Sequence, residues 1–148
     1  MAKKAIVRAT GSCLCGAVRY EVRGLLRNVI NCHCSKCRRT HGHTAAYTSV
    51  QREDLVLTKQ GGLKWYRSLT DETPNVHRGF CKECGSSLFW DPKGISEYIA
   101  ISAGTLTSPT GLKTISHVWL SQAGDYYIIT DDLPRFEESH GAISLKKR

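Results

Sequence analysis

Seven cysteines are the residues of this 148-residue chain whose type and spacing best suit a chemical site. They fall into three groups: Cys13 and Cys15; Cys32, Cys34 and Cys37; and Cys81 and Cys84. An odd number of cysteines argues against a complete disulfide framework. Clustered cysteines in a reducing compartment more often bind a metal ion. The spacing therefore predicts metal sites built from thiolates.

The two outer groups together offer four thiolates. In an extended segment, Cys13 and Cys15 face the same side while Leu14 points away. The C-x-x-C turn of residues 81–84 is followed by Gly85, which can supply the positive φ that closes such a turn. A redox-active C-x-x-C would favour a helix N-terminus beside a βαβ pattern, whereas this one lies between two predicted strands. Four thiolates make a closed tetrahedral site, so these pairs predict a structural zinc ion.

The middle group offers three thiolates and leaves one position open. Cys32 and Cys34 suit an extended segment, and Cys37 follows on the first turn of a predicted helix. Three protein ligands with an open fourth position are typical of a catalytic or substrate-binding zinc ion. We therefore predict two zinc ions per chain, one structural and one at this open group.

A fourth protein ligand would close the second site and make it structural. His41 is the first candidate, because it lies four residues after Cys37 and so on the same face of a helix. Further candidates are His43, His77 and His117. His33 is a poor candidate because it alternates away from its neighbouring cysteines. An iron–sulfur cluster is another alternative, although these spacings match none of the common ferredoxin runs.

Basic residues follow the middle group closely. Three thiolates around a divalent ion carry one net negative charge, which Lys36, Arg38 and Arg39 could offset. The same residues could instead meet the carboxylates of an anionic ligand. For any one of them, a place on a solvated helix face is at least as good an interpretation.

Short strands must position these groups. Alternation of apolar and polar residues, as in AVRYEV, is typical of half-buried strands. Strands are predicted over 17–22, 28–31, 45–50, 55–58, 63–69, 76–80, 86–90, 98–104 and 117–122. Turn-forming residues separate them, which favours a β-sandwich or a closed antiparallel sheet.

One short helix is predicted after the middle cysteine group. Ser35 would cap it, residues 36–41 would form it and Gly42 would end it. In the C-terminal part, residues 130–139 predict at most a single helical turn, because Pro134 interrupts them.

The composition is that of one folded domain. Hydrophobic residues make up 41% of the chain, no apolar run approaches a membrane span, and the N-terminus lacks the apolar core of a signal peptide. We therefore predict a cytoplasmic protein with reduced thiols. The formal net charge of +8 falls to +5 once seven thiolates and two divalent ions, together −3, are counted. Charge alone gives nucleic acid only weak support as a partner.

Four segments occur in an order that resembles a known family. They are GSCLCGAVRYEV, CHCSKCRRTHG, FCKECGSSLFW and HVWLSQAGDYYIITDDLPRFEE. Together they resemble the glutathione-dependent formaldehyde-activating enzyme family, whose relatives include centromere protein V. The resemblance implies a zinc-binding domain over 11–138, between an N-terminal segment, 1–10, and a basic tail, 139–148. It further implies a mainly β, antiparallel, sandwich-like domain with one short helix after the C-x-C-x-x-C motif.

By position, the resemblance implies the same division of the cysteines as their spacing does. The family's structural zinc ligands match Cys13, Cys15, Cys81 and Cys84. Its second zinc ion, taken as catalytic, matches Cys32, Cys34 and Cys37. No residue is assigned to glutathione recognition.

The activity named for the family is condensation of formaldehyde with glutathione to S-hydroxymethylglutathione. The resemblance therefore predicts a zinc-dependent enzyme of the carbon–sulfur lyase class. A zinc ion with three thiolates is electron-rich, so we expect it to bind and activate the thiol rather than polarise the carbonyl. One alternative is a non-catalytic, zinc-stabilised module that binds a protein or nucleic acid. Another is a domain in which both zinc ions are structural.

Overall fold

The computed structural model describes residues 6–139 of the chain. Within them, the strands are β1 (Ala9–Ser12), β2 (Arg19–Val22), β3 (Val29–Cys32), β4 (Ala45–Gln51), β5 (Leu55–Lys59), β6 (Leu63–Arg67), β7 (Val76–Cys81), β8 (Ser87–Pro92), β9 (Tyr98–Ser102) and β10 (Thr114–Val118). Helix α1 (Ser35–His41) follows β3, and 3₁₀ turns cover Arg52–Asp54, Ala103–Thr105 and Leu120–Gln122. No helix of this part of the chain is long and apolar enough to cross a membrane. Residues 1–5 and 140–148, in the predicted N-terminal segment and basic tail, lie outside the described range.

The strands form two sheets, so the mainly β prediction is confirmed. The small sheet has the order β1-β2-β5, and the large sheet has the order β10-β3-β4-β9-β8-β7-β6. All neighbouring strands are antiparallel except β10 and β3, which are parallel. The predicted antiparallel arrangement holds at every other pair of neighbouring strands in the described range. A parallel pair requires a long crossover, and here the crossover is the chain that builds the rest of the large sheet.

The small sheet packs on one face of the large sheet and forms the main core. Val50, Phe89 and Ile101 of the large sheet meet Tyr20 and Val22 of β2. All five side chains are at most 2% exposed. Burial of an apolar side chain of this size contributes about 1.5–3 kcal/mol relative to exposure. This packing is the source of the sandwich-like shape.

The opposite face of the large sheet carries a smaller apolar cluster. Tyr47, Trp90 and Ala100 lie on this face, because side chains alternate between the two faces along each strand. They pack with Cys34 and Cys37 of the middle cysteine group. The large sheet therefore separates the main core from that group.

Helix α1 begins one residue earlier than predicted, at Ser35. The N-cap is Cys34, not Ser35, because the Cys34 backbone is extended and its Sγ accepts the N–H of Cys37 at 3.3 Å. The sulfur thus takes the place of the usual capping oxygen. Gly42 ends the helix as predicted: its φ is 82°, and its N–H donates to the Arg38 carbonyl oxygen at 2.7 Å.

The C-terminal part of the described chain departs from its prediction. The strand expected over 117–122 begins at Thr114 and ends at Val118, and residues 130–139 contain no helical turn. Instead, the His117 N–H donates to the Pro134 carbonyl oxygen, and the Phe136 N–H donates to the His117 carbonyl oxygen, both at 3.0 Å. β10 is an edge strand, and its open backbone groups bind this segment in place of water.

Candidate metal centres and active site

Four cysteines that are far apart in sequence lie together: Cys13, Cys15, Cys81 and Cys84. Their Sγ atoms are all within 4.8 Å of one another, with 3.7 Å between Cys13 and Cys15 and 3.8 Å between Cys15 and Cys81. A tetrahedral zinc site with Zn–S distances of about 2.3 Å has sulfurs about 3.8 Å apart, whereas a disulfide requires about 2.05 Å. The group has the donor type and spacing that suit a closed zinc site.

The backbone around this four-cysteine cluster behaves as the sequence predicts. Leu14 is 88% exposed, so it does point away from its neighbours. Gly85 has a φ of 81°, and its N–H donates to the Cys81 carbonyl oxygen at 2.7 Å. The Val18 N–H donates to the Cys13 Sγ at 3.2 Å, which helps to hold that sulfur as a thiolate.

Ser86 prepares a further sulfur of the same cluster. Its Oγ accepts the N–H of Leu14 at 3.0 Å and lies 3.2 Å from the Cys84 Sγ, to which its hydroxyl donates. This hydrogen bond, together with those from the Ser86 and Cys15 backbones, lowers the pKa of the Cys84 thiol to about 5. A thiol with a lowered pKa is ready to bind a metal ion at neutral pH.

The middle group also comes together as one cluster. Its three Sγ atoms, from Cys32, Cys34 and Cys37, lie within 4.8 Å of one another. Cys32 ends β3, Cys34 caps helix α1 and Cys37 lies in its first turn. All seven cysteines of the chain are free thiols, so no disulfide competes with metal binding.

The three sulfurs of this triad share negative charge unevenly. Hydrogen bonds from Cys32 and Cys37 lower the pKa of the Cys34 thiol. The hydrogen bonds to Cys34 and Cys37, together with burial, raise the pKa of Cys32. One thiolate is therefore stable alone, whereas three adjacent thiolates repel one another unless a cation lies between them. Soft sulfur donors at this spacing suit a zinc ion.

No histidine among residues 6–139 joins the triad, whose ligand atoms come from cysteines alone. The His41 Nε2 is 3.0 Å from the Tyr47 hydroxyl. The other candidates bond elsewhere: His43 to Tyr126, His77 to the Asn75 carbonyl oxygen, and His117 to His33 and Asp131. The described part of the chain thus leaves the fourth position without a protein ligand.

Arg78 lies beside the triad, and sequence reasoning missed it. Both of its terminal nitrogens are 3.9 Å from the Cys37 Sγ. The guanidinium also pairs with the Asp71 carboxylate, with nitrogen–oxygen distances of 2.8 and 3.3 Å. Arg78 is 6% exposed, so its charge acts on the triad with little screening by water. It is a permanent cation and cannot deprotonate to escape burial.

The basic residues singled out from the sequence have other surroundings. The Lys36 Nζ is 3.6 Å from the Glu72 carboxylate, and the Arg38 Nε donates to the Gln122 carbonyl oxygen at 2.8 Å. Arg39 is exposed. Arg78 is thus the guanidinium whose contacts with the triad are observed, and it follows the cysteines by some forty residues.

A cavity of about 210 Å³ opens beside the triad. One wall is formed by the three cysteines, and the floor is the apolar face of the large sheet, with Tyr47, Trp90 and Ala100. Trp119 lines another side of the cavity. Its backbone φ is 59°, a left-handed conformation that bulky residues rarely adopt. Such strain is concentrated at functional sites. The geometry therefore joins a thiolate-rich centre to a space for a small organic ligand.

The sequence comparisons agree with this arrangement. A family model described as glutathione-dependent formaldehyde-activating enzyme matches residues 8–122. The chain belongs to this family. The match contains both cysteine clusters and the triad side of the cavity as far as Gln122. The resemblance inferred from the four sequence segments is confirmed.

Individual relatives of the formaldehyde-activating family match over shorter stretches. A protein of Pyrenophora teres f. teres is 35% identical over 80 residues, and one of Halomonas elongata is 36% identical over 88 residues. Both carry the family's name, and the matches cover 52% and 56% of this chain but only 40% and 56% of the relatives. A solved structure of a Rhodobacter sphaeroides protein has a TM-score of 0.53 and 29% identity, covering 67% of this chain and 88% of its own.

A second group of residues supports the family's C-x-C segment from behind. His33, between two triad cysteines, places its Nε2 at 2.9 Å from the His117 Nδ1. The His117 Nε2–H donates to the Asp131 carboxylate at 2.9 Å, so the Nδ1 accepts from His33. The hydrogen bond from His117 lowers the pKa of Asp131. His33 points away from the cysteines as predicted, and this chain of bonds anchors the backbone that carries them.

Proposed function

We propose that this chain is a zinc-dependent enzyme of the carbon–sulfur lyase class that forms and cleaves thiol–aldehyde adducts. The substrates would be a small thiol such as glutathione and an aldehyde such as formaldehyde, and the product would be S-hydroxymethylglutathione. The observation that carries the proposal is the triad of cysteines, which has three converging sulfurs and opens onto a cavity.

The triad supplies the chemistry. Cys32, Cys34 and Cys37 would hold the ion, since their donor type and spacing fit zinc. When bound there, a zinc ion would supply an open coordination position that lowers the pKa of an incoming thiol. A closed site with four protein ligands would lack that position, so the triad supports catalysis more than a purely structural function.

The reaction is an addition without a change of oxidation state. The thiol loses its proton, its sulfur forms a bond to the aldehyde carbon, and the π pair of the carbonyl moves to oxygen, which takes up a proton. Burial raises the pKa of the Tyr47 hydroxyl well above its usual value, so this group adds no negative charge beside the triad. Arg78 would limit the build-up of negative charge around Cys37.

The four-cysteine cluster would be structural. Its four sulfurs leave no position for a substrate, and it joins the β1–β2 region to the end of β7. Seven cysteines without a disulfide would persist best in a reducing compartment, so we propose that the protein is cytoplasmic.

The test is exchange spectroscopy by NMR of formaldehyde with glutathione, with and without zinc-loaded protein. We expect the protein to raise the exchange rate between free glutathione and its adduct above the uncatalysed rate. Cys37→Ser should abolish this acceleration and remove about one of two zinc ions per chain, by the ligand arithmetic, while far-UV circular dichroism stays unchanged. An uncatalysed rate for a protein that holds both ions would refute the proposal.

A further inference from the structure

The cavity beside the triad is larger than formaldehyde requires. Formaldehyde has two non-hydrogen atoms and takes the room of about one or two water molecules, roughly 30–60 Å³. The cavity measures about 210 Å³. The difference leaves room for a substituent on the aldehyde carbon even when the sulfur of the thiol enters the same space.

The floor of the cavity is apolar across five strands. Val118 of β10, Ile30 of β3, Tyr47 of β4, Ala100 of β9 and Trp90 of β8 all face it. The register explains this, because Ile30 pairs with Tyr47, and Ala100 pairs with Trp90, so that each pair projects to the same face. A continuous apolar floor offers little to the amides and carboxylates of a peptide-like thiol.

Three of the polar residues that line the cavity are bonded to other groups of the protein. The Gln122 Oε1 accepts the Ser35 N–H at 2.9 Å, and the Arg27 guanidinium donates to the Tyr47 carbonyl oxygen at 2.9 Å. Asp71 is held by Arg78. These bonds turn polar atoms towards the protein, so the open space is bounded chiefly by carbon.

Two tryptophans line the cavity and offer it large apolar surfaces. Trp90 rises from the sheet, and Trp119 contributes its indole from a strained backbone position. A smaller residue or glycine would satisfy the left-handed turn at lower cost. The presence of tryptophan there indicates that its large apolar surface contributes to the cavity, and both indoles pack against the cluster that contains Cys34 and Cys37.

We propose that the preferred aldehyde carries a large apolar substituent, of aryl-alkyl or branched alkyl type, which lies between Trp90 and Trp119. This inference rests on the proposed thiol–aldehyde reaction and names the class of its carbonyl substrate. The thiol's polar body stays at the rim, near Lys36 and Glu72, while the substituent occupies the apolar floor. The covalent step is the same addition: a carbon–sulfur bond forms, the carbonyl π bond breaks, and the thiol proton is transferred to the oxygen.

The first test measures binding with stable thioether analogues, and therefore does not depend on turnover. S-methylglutathione and S-(2-phenylethyl)glutathione are titrated into the zinc-loaded protein by calorimetry. The phenylethyl compound should bind at least about tenfold more tightly, since its ring buries apolar surface that the methyl group lacks. Equal dissociation constants for the two compounds, or no binding of either, would overturn the inference.

The second test compares exchange rates of glutathione with formaldehyde, 2-methylpropanal and phenylacetaldehyde. Each rate is divided by its own uncatalysed rate, and the acceleration should be largest for the two apolar aldehydes. Acceleration of formaldehyde alone would refute the inference and leave the proposed function intact. No acceleration with any of the three would refute the proposed function itself.

Variants locate the preference in the cavity. Trp119→Ala and Trp90→Ala should each reduce the preference for the phenylethyl analogue at least about threefold. The matched control is Trp65→Phe, because Trp65 stacks on Phe89 at 6.0 Å on the main-core side of the sheet, away from the cavity. A preference unchanged in both cavity variants would contradict the placement. If either fails to fold, the wild-type ratio of the two dissociation constants still decides the matter.

Discussion

Replacement of Arg78 by methionine should weaken metal binding at the triad and destabilise the fold for two separable reasons. The variant removes a guanidinium that contacts Cys37 from two nitrogens at 3.9 Å. A full charge pair at this distance is worth about 4 kcal/mol at an effective dielectric constant of about 20. The net negative charge of a three-thiolate zinc site is spread over three sulfurs, so about a third of that energy, about 1.4 kcal/mol, belongs to the nearest one.

The expected loss of zinc affinity at the triad is therefore at least about tenfold. The same variant leaves the Asp71 carboxylate without its partner, and the side chains of Asp71 and Arg78 are only 9% and 7% exposed. Removing one member of a buried pair costs about 3–5 kcal/mol of unfolding free energy. The double variant Arg78→Met/Asp71→Asn should recover most of this stability but none of the affinity, because neither new side chain is charged.

Competition with a chromophoric zinc chelator measures the affinity, and the four-cysteine cluster serves as an internal reference within each protein. Urea denaturation of the zinc-loaded proteins measures the stability. The reasoning fails if Arg78→Met binds zinc at the triad within twofold of wild type. It fails equally if the double variant recovers affinity together with stability, since the loss would then come from distortion and not from charge.

Three further changes have defined outcomes. Cys81→Ser should lose one zinc ion and no longer unfold cooperatively, whereas Cys37→Ser should lose one zinc ion and keep its fold. Metal analysis counts the ions, and thermal unfolding followed by circular dichroism distinguishes the two variants. Gly62→Ala should lower the free energy of unfolding by about 1–3 kcal/mol in urea denaturation. The new Cβ would lie 2.7 Å from the Ala17 methyl and 3.0 Å from the Cys81 Sγ. Gly61→Ala is the control and should be tolerated, because its new Cβ would have no neighbouring atom within 4 Å. Burial lowers the pKa of His41 from 6.5 to about 4, so the unfolded chain binds a proton that the folded chain does not. The free energy of unfolding should therefore fall as the pH drops from about 6.5 towards 4. The fall should be up to about 3 kcal/mol larger in wild type than in His41→Gln, when both proteins are measured at equal zinc occupancy.

The geometry within each cysteine group was predictable because its determinants are local. Spacing and strand alternation place Cys13 and Cys15 on one side of an extended segment, and a glycine with positive φ closes the turn after Cys84. The helix after the triad has its own stop signal at Gly42. Most strands follow from alternation in the same way, although no pattern predicted β1.

The long-range features could not be predicted in this way. Nothing in the residues around Arg78 indicates that it is buried, because its partner Asp71 lies in a loop and its sulfur contact lies on helix α1. The parallel pairing of β10 with β3 likewise depends on which edge remains open after the other strands have assembled. Trp119 reads as part of a strand, and only the tertiary structure places it in a left-handed turn beside the cavity.

Strand β7 explains how one small domain can hold two sulfur clusters on opposite faces of one sheet. Arg78 and Cys81 are three residues apart, so alternation places their side chains on opposite faces of the large sheet. Cys81 packs in the main core and joins the four-cysteine cluster, whereas Arg78 contacts the triad beside the cavity. The ordered end of β7 thus holds the guanidinium in place against Cys37. A structural ion at the first cluster would therefore support the second centre through one rigid strand, without any residue that contacts both.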